Sequence, residues 1–140
     1  MKWVTWKNIG IDRMACIWLI RRWIDPKAEF TFITTGEKLS SGDGKAFDIP
    51  GEHYSHHGGH CTFYTLLKEN KLEDPILTRI ARIVDEADEV QEVALEPAAF
   101  GLDLVCRGVR QISKDDFEAM EYGRLIYDAL YEQLKLDSSQ

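Results

Sequence analysis

The sequence predicts a helix-dominated α+β fold with a small antiparallel sheet, in a single domain spanning residues 1–140. Three observations carry that expectation. Apolar residues recur at three- and four-residue steps over Asp12–Ile24 and through most of the second half. Glu29–Thr34 alternates and is rich in β-branched and aromatic residues. Asp-Pro, Pro-Gly and Glu-Pro pairs punctuate the chain where those patterns change. At 140 residues, 44% hydrophobic and 29% charged, the chain is long enough to bury a core without disulfides.

The elements follow in order. Trp3-Val4-Thr5-Trp6 has strand composition. Ala15, Trp18, Leu19 and Trp23 form one helical stripe, which Asp25-Pro26 ends. Glu29–Thr34 is a strand, Gly36–Lys45 a Gly- and Ser-rich loop, and Phe47-Asp48-Ile49 an extended piece closed by Pro50-Gly51, a pair suited to a type II turn. Thr62 is placed to cap a helix running to about Asn70. Asp74-Pro75 opens another, with Ile76, Ile80, Ile83, Val84 and Ala87 as its stripe. Glu96-Pro97 opens a weaker helix containing Phe100, Val105 and Val109, with Gly101 and Gly108 against it. Ser113–Asp116 caps the longest helix, Asp115 to about Leu134, with Phe117, Met120, Tyr127, Tyr131 and Leu134 inward.

A net charge of −7 argues against nonspecific nucleic-acid binding, and no apolar run reaches the ~20 residues of a membrane span. The start lacks a signal-peptide layout, so the expected compartment is the cytoplasm. Three widely spaced cysteines are no disulfide framework. Charge is uneven. Lys2, Lys7, Arg13, Arg21 and Arg22 face one acid, Asp12, at the start, while Asp85–Glu96 holds six acids and no base. A solvated basic face is one outcome. The other is an oxyanion site centred on Arg13 with Arg22 or Lys7 in support, because a helix start and a guanidinium fork both favour anions. In a competing arrangement Arg13 pairs with Asp128 or Glu121 across the core.

All four histidines fall in one short run that a cysteine closes: His53-Tyr54-Ser55-His56-His57-Gly58-Gly59-His60-Cys61. Imidazole and thiolate suit borderline-soft metals, and paired glycines let neighbouring side chains converge. The plain alternative is a polar loop with incidental metal affinity. Cys61, just before a helix start, is the thiol expected to be exposed and reactive. Cys106, in an apolar stretch, reads as core. Asp12 and Cys16 stack four residues apart on a face that otherwise points inward. The expected shell is one transition metal, zinc or iron, on His56 and Cys61, completed by Glu121 or Asp128 or by the Asp12/Cys16 pair, with His57 close by.

Four ordered motifs resemble one family: Asp12-Arg13-x-Ala15-Cys16-x-Trp18-Leu19-Ile20-x-Arg22-x-Ile24-Asp25-Pro26, Phe47-Asp48-Ile49-Pro50-Gly51, His56-x-Gly58-x-x-Cys61-Thr62-Phe63 and Tyr127-Asp128-Ala129-Leu130-Tyr131. Together they look like the chromate-resistance proteins, more narrowly their C-terminal, ChrB-type domain. The resemblance implies a role in chromate resistance and weight on Asp12, Arg13, Cys16, Arg22, His56, Cys61 and Asp128. His53, His57 and His60 lie outside the pattern. Larger members carry an N-terminal DNA-binding region that these residues do not include, so direct nucleic-acid binding is not expected of them. Three readings follow in order: a domain binding a metal and chromate or a similar oxyanion; a thiol- or metal-dependent oxidoreductase acting on chromate or oxidised sulfur species; and an interaction module using the acidic Asp85–Glu96 segment.

Overall fold

The computed structural model describes residues 1–88 and 94–139. Its elements are β1 (Lys2–Trp6), α1 (Ile11–Leu19) continued by a π-helical turn (Ile20–Ile24), β2 (Glu29–Ile33), β3 (Lys45–Ala46), α2 (Thr62–Glu69), α3 (Pro75–Asp88), α4 (Ala98–Ile112) and α5 (Asp116–Ser138). No described helix is long and apolar enough to cross a membrane.

Helices dominate, but the sheet is not antiparallel. Its strand order is β2-β1-β3 and both pairings are parallel. The connection explains this. β1 leads into α1 and its π-helical turn, which carry the chain back to the end of the sheet where β1 began, so Lys2 pairs with Glu29 and the Glu29 amide donates to Met1 O at 2.9 Å. Antiparallel neighbours are joined by hairpins, whereas a helical crossover delivers a parallel strand. β3 then reaches the free edge of β1 through residues 34–44, and Gly44, at φ +102°, lies against the Lys2 backbone.

The expected stripe on α1 becomes burial on every side. All of Ile11–Leu19 is buried except Arg13, because α2, α3, α4 and α5 all pack against this one helix. A helix apolar all round is a core helix. Tyr127 Oη donates to Ile11 O at 2.8 Å, and Gly123 lets α5 approach Met14 closely. Val4 and Ile33 of the sheet, with Ile49 just beyond it, form a smaller cluster of their own.

The later helices begin largely where their caps predict. Asp74 Oδ1 accepts from the Ile76 amide at 2.8 Å, and Asp115 Oδ1 accepts from Glu118 at 2.8 Å. Thr62 is not the cap of α2. That position belongs to Cys61, which supplies no side-chain bond. Phe117, expected inward, is half exposed with its ring against Phe32. Within the acidic segment, Glu89 and Glu92 lie outside the described residues. Asp85 and Glu96 are buried, Glu96 between Arg79 and Arg82. These two acids are internal partners rather than an open acidic face.

Two glycine substitutions should act in opposite directions. Gly44→Ala combines positive φ with a Cβ driven into the Lys2 backbone, and should lower the unfolding free energy by about 2 kcal/mol or more. Gly101→Ala, on a helix with open space around it, should raise stability by about 0.5–1 kcal/mol. Urea denaturation of both variants reads the two signs.

Candidate metal centre

The centre is assembled at the start of α2. This helix has no cap of its own, so its first amides are served by side chains from other elements. Asp12, in the first turn of α1, accepts from Thr62 N (Oδ2, 2.9 Å) and Phe63 N (Oδ1, 3.0 Å). Asp85 of α3 accepts from Cys61 N at 2.7 Å. Two carboxylates thus meet the positive end of the helix dipole and its unpaired N–H groups.

The 47–61 loop brings the remaining members. Phe47 bridges to Tyr54, and the Asp48 amide donates to Tyr54 O at 2.7 Å. Ile49-Pro50-Gly51-Glu52 closes as a turn, with Gly51 at φ +88° and Glu52 N donating to Ile49 O at 3.1 Å. Asp48 itself sits at φ +51°, a conformation that aspartate tolerates better than most residues. Its Oδ1 accepts from Thr62 Oγ1 at 2.8 Å. Arg13 holds the same loop, donating from Nη2 to Asp48 O at 2.9 Å, with Nε 3.2 Å from Asp48 Oδ2 but not aligned as a hydrogen bond.

His56 completes the cluster. Its Nε2 lies 3.1 Å from Asp12 Oδ2, 3.3 Å from Asp48 Oδ1 and 3.3 Å from Asp88 Oδ2, at the end of α3. One N–H cannot serve three carboxylates well. Among the described residues, the three carboxylates outnumber the cationic His56 and Arg13 by one charge. Coordinating atoms of Asp12, Asp48 and His56 all lie within 4.8 Å of one another. A cleft of about 510 Å³, lined among others by Trp6, Arg13, Ser55 and Asp88, opens beside them.

The titration behaviour follows from this crowding. Burial pushes Asp12 up to about 6; the His56 bond and the Thr62 amide oppose this, while the charges of Asp48 and Asp88 add to it. Desolvation wins over the attraction to His56 because the carboxylate is almost wholly enclosed. His56 is held far above its ordinary range by its bonds to Asp12, Asp48 and Asp88, against the cost of burial.

The thiols differ from the sequence expectation. Cys61 is fully buried, not exposed, with Sγ 4.0 Å from Ala81 O. Burial first, then the charges of Asp12 and Asp85, push its thiol well up. The helix dipole that should have favoured a thiolate is already met by those two carboxylates. Cys16, with Sγ 3.5 Å from Asp12 Oδ1, is raised likewise by burial, and Cys106 rises to about 11.

Other expected members lie in a different place. Glu121 pairs with Arg21 at 2.6 Å and Arg124 at 3.5 Å. Asp128 accepts from Trp18 Nε1 at 2.8 Å and Arg22 Nη1 at 2.9 Å. Arg22 also lies over the Trp23 and Tyr131 rings. Arg13 takes Asp48 as partner, rather than Asp128 or Glu121, and Lys7 is exposed. His57 Nε2 is turned to His53 O. Sequence reasoning passed over Asp48 and Asp88. Asp48 stood inside a quoted motif, so that signal was present; Asp88 was submerged in the acidic run.

Comparison with known proteins agrees with the motifs. The family described as ChrB, C-terminal domain, matches residues 3–134. Protein ChrB of Cupriavidus metallidurans is 31% identical over 131 residues, covering 93% of this chain. The chain spans about two fifths of that relative, 40% of its length. No solved structure matches.

Two outcomes test this geometry. Asp12→Ala leaves the Thr62 and Phe63 amides buried without acceptors, and should cost about 2–3 kcal/mol and speed their hydrogen exchange. Native-state alkylation should be slow at all three buried cysteines. Fast labelling of Cys61 in the folded protein would contradict its burial.

Proposed function

The chain belongs to the ChrB C-terminal domain family, and on that premise we propose that it is a metal-binding domain serving chromate resistance, its ion held by His56 with Asp12, Asp48 and Asp88. The observation that carries this reading is the convergence of three carboxylates on one imidazole nitrogen. A divalent cation in place of the His56 proton relieves both the excess charge and the shortage of N–H donors. Three oxygens and one nitrogen suit zinc, iron(II) or manganese better than softer ions. The buried Cys61 and the arginine-paired Glu121 and Asp128 make weaker candidates than the two aspartates that join His56 and Asp12.

The adjoining cleft is where an oxyanion such as chromate would meet the site. Arg13 lines it but is engaged with Asp48, so an anion needs the cation as its main charge partner. The protein's own residues then have distinct tasks. Asp12 joins the site to the start of α2, Arg13 fixes the Asp48 loop, and Thr62 orients the Asp48 carboxylate. The buried, protonated thiols withdraw support from a thiol-based oxidoreductase. A metal-dependent one would act at this same cluster.

Elemental analysis of protein purified without a polyhistidine tag should find a transition metal that Asp48→Asn and His56→Ala reduce by most of an equivalent. Stoichiometric metal unchanged in both variants would remove the assignment. Calorimetric titration with chromate, and with sulfate as a same-shape control, should give binding only to the metal-loaded protein.

Metal stabilisation should also depend on pH with a definite sign. Asp12 has a folded pKa raised to about 6 from 3.8, so its contribution to the metal-free fold is fully present below about 4 and lost as pH rises to about 6. His56 is raised too; its contribution persists below its usual 6.5 and is lost only as pH climbs through its raised folded value. Protons and metal compete for these atoms. The Tm rise on adding metal should therefore be near zero at pH 5 and about 5–10 °C at pH 7.5, at a hundredfold excess over Kd. Differential scanning fluorimetry across pH measures it.

A further inference from the structure

One helix carries more apolar surface than the core uses. On the inner side of α4, Ala99, Cys106 and Val109 are buried where it packs on α1, α3 and α5. A surface helix is expected to be apolar on that side alone, with polar residues opposite. Instead its outer side carries Phe100, Leu104, Val105 and Ile112, which are 80%, 61%, 51% and 72% exposed. At about 100° per residue, these four fill a continuous arc of about 140° with Gly101, Gly108 and one amide side chain, Gln111. No acid or base stands within it.

Along this arc, large and small residues alternate in an order that complements its own reverse. Phe100, Leu104, Gly108 and Ile112 follow one another at four-residue steps, the row that forms a ridge on a helix surface. A two-fold axis lays such a ridge antiparallel on a second copy of itself, so every contact occurs twice. Where Leu104 meets Gly108 of the second copy, Phe100 meets Ile112 in the same register. Leu104 then enters a hole that a single copy leaves unfilled, since a Cβ on Gly108 would find nothing within 4 Å. The border of the arc agrees. Arg107 stands beside it, 2.9 Å from Asp103. The two-fold runs this border past itself in reverse, which sets Arg107 of each copy toward Asp103 of the other.

We infer that the outer face of α4 is the surface through which two copies of this chain associate, helix against helix and antiparallel. The four exposed side chains offer roughly 400–500 Å² of apolar surface per copy, a patch large enough to mark an interaction site. With its border, the face brings two copies to the lower end of specific interfaces, ~1,200 Å² in all. An interface of that size opens on dilution, so the dimer is in exchange with its monomer. None of these residues lines the cleft at His56, and the association stands whether or not that cluster holds metal.

Sedimentation velocity on the untagged protein reads the association directly. The mean mass should rise from that of the 16.1 kDa chain toward twice that value between about 5 and about 500 µM. Phe100→Glu sets a charge in the apolar arc at an exposed position, and should weaken association at least tenfold. Gly108→Gln fills the hole with a polar residue of higher helix propensity. It should weaken association at least tenfold while leaving the thermal stability of the dilute monomer unchanged or raised. Those opposite effects separate a lost interface from a damaged fold. A mass that stays monomeric over the whole range would overturn the inference and leave the face to a different partner. A dimer that persists undiminished in both variants would overturn it too, because its contact would lie on another surface.

Discussion

The carboxylate of Asp12 is the interaction on which the rest depends. It is 3% exposed, sits in the first turn of a helix enclosed by four others, and accepts hydrogen bonds from two backbone amides of α2, from His56 and from the Cys16 thiol. A buried charge is costly unless its lone pairs are filled. Here they are filled only if α1, α2 and the 47–61 loop occupy their places together. One side chain therefore ties the core helix, the start of its neighbour and the cluster at His56 into a single arrangement.

That arrangement also decides which chemistry the region offers. The start of α2 would suit an anion or a thiolate, but Asp12 and Asp85 already occupy it. Burial first, then their charges, push the Cys61 thiol up, while Asp12, with Asp48 and Asp88, draws cationic character onto His56. In the proposed reading, a helix start suited to anions becomes a place for a cation. The proposed cation would stand beside an open cleft and give an acidic protein a means to attract an anion.

The basic end of the chain is neutralised by a related device. Arg21 and Arg22, on the π-helical turn, meet Glu121, Asp128 and Glu132 of α5. Stacking of Arg22 on Trp23 and Tyr131 adds to the fit. Such half-exposed pairs contribute little each, but they set the register of the longest helix against the core. Two of the basic residues at one end of the sequence, Arg21 and Arg22, thus form a partly exposed seam with acids supplied a hundred residues later.

Much of the fold was legible from local pattern. The helices at Asp74-Pro75 and Asp115-Asp116, the Glu29–Ile33 strand and the Pro50-Gly51 turn follow from caps, proline, glycine and side-chain period, which act over a few residues. The histidine run, Asp12 and Arg13 stood out as candidate site residues too, from residue chemistry and the motifs. Strand direction was not, because it depends on where a crossover delivers the chain. Nor was the cluster around His56, for Asp12, Asp48 and Asp88 come from three separate elements and no spacing relates them. The fate of Cys61 was decided the same way, by what packs over it. Sequence by itself determined which segments fold locally and which residue types are present to do chemistry. Only the tertiary structure decided which of them meet, since burial and charge pairing are set by neighbours distant along the chain.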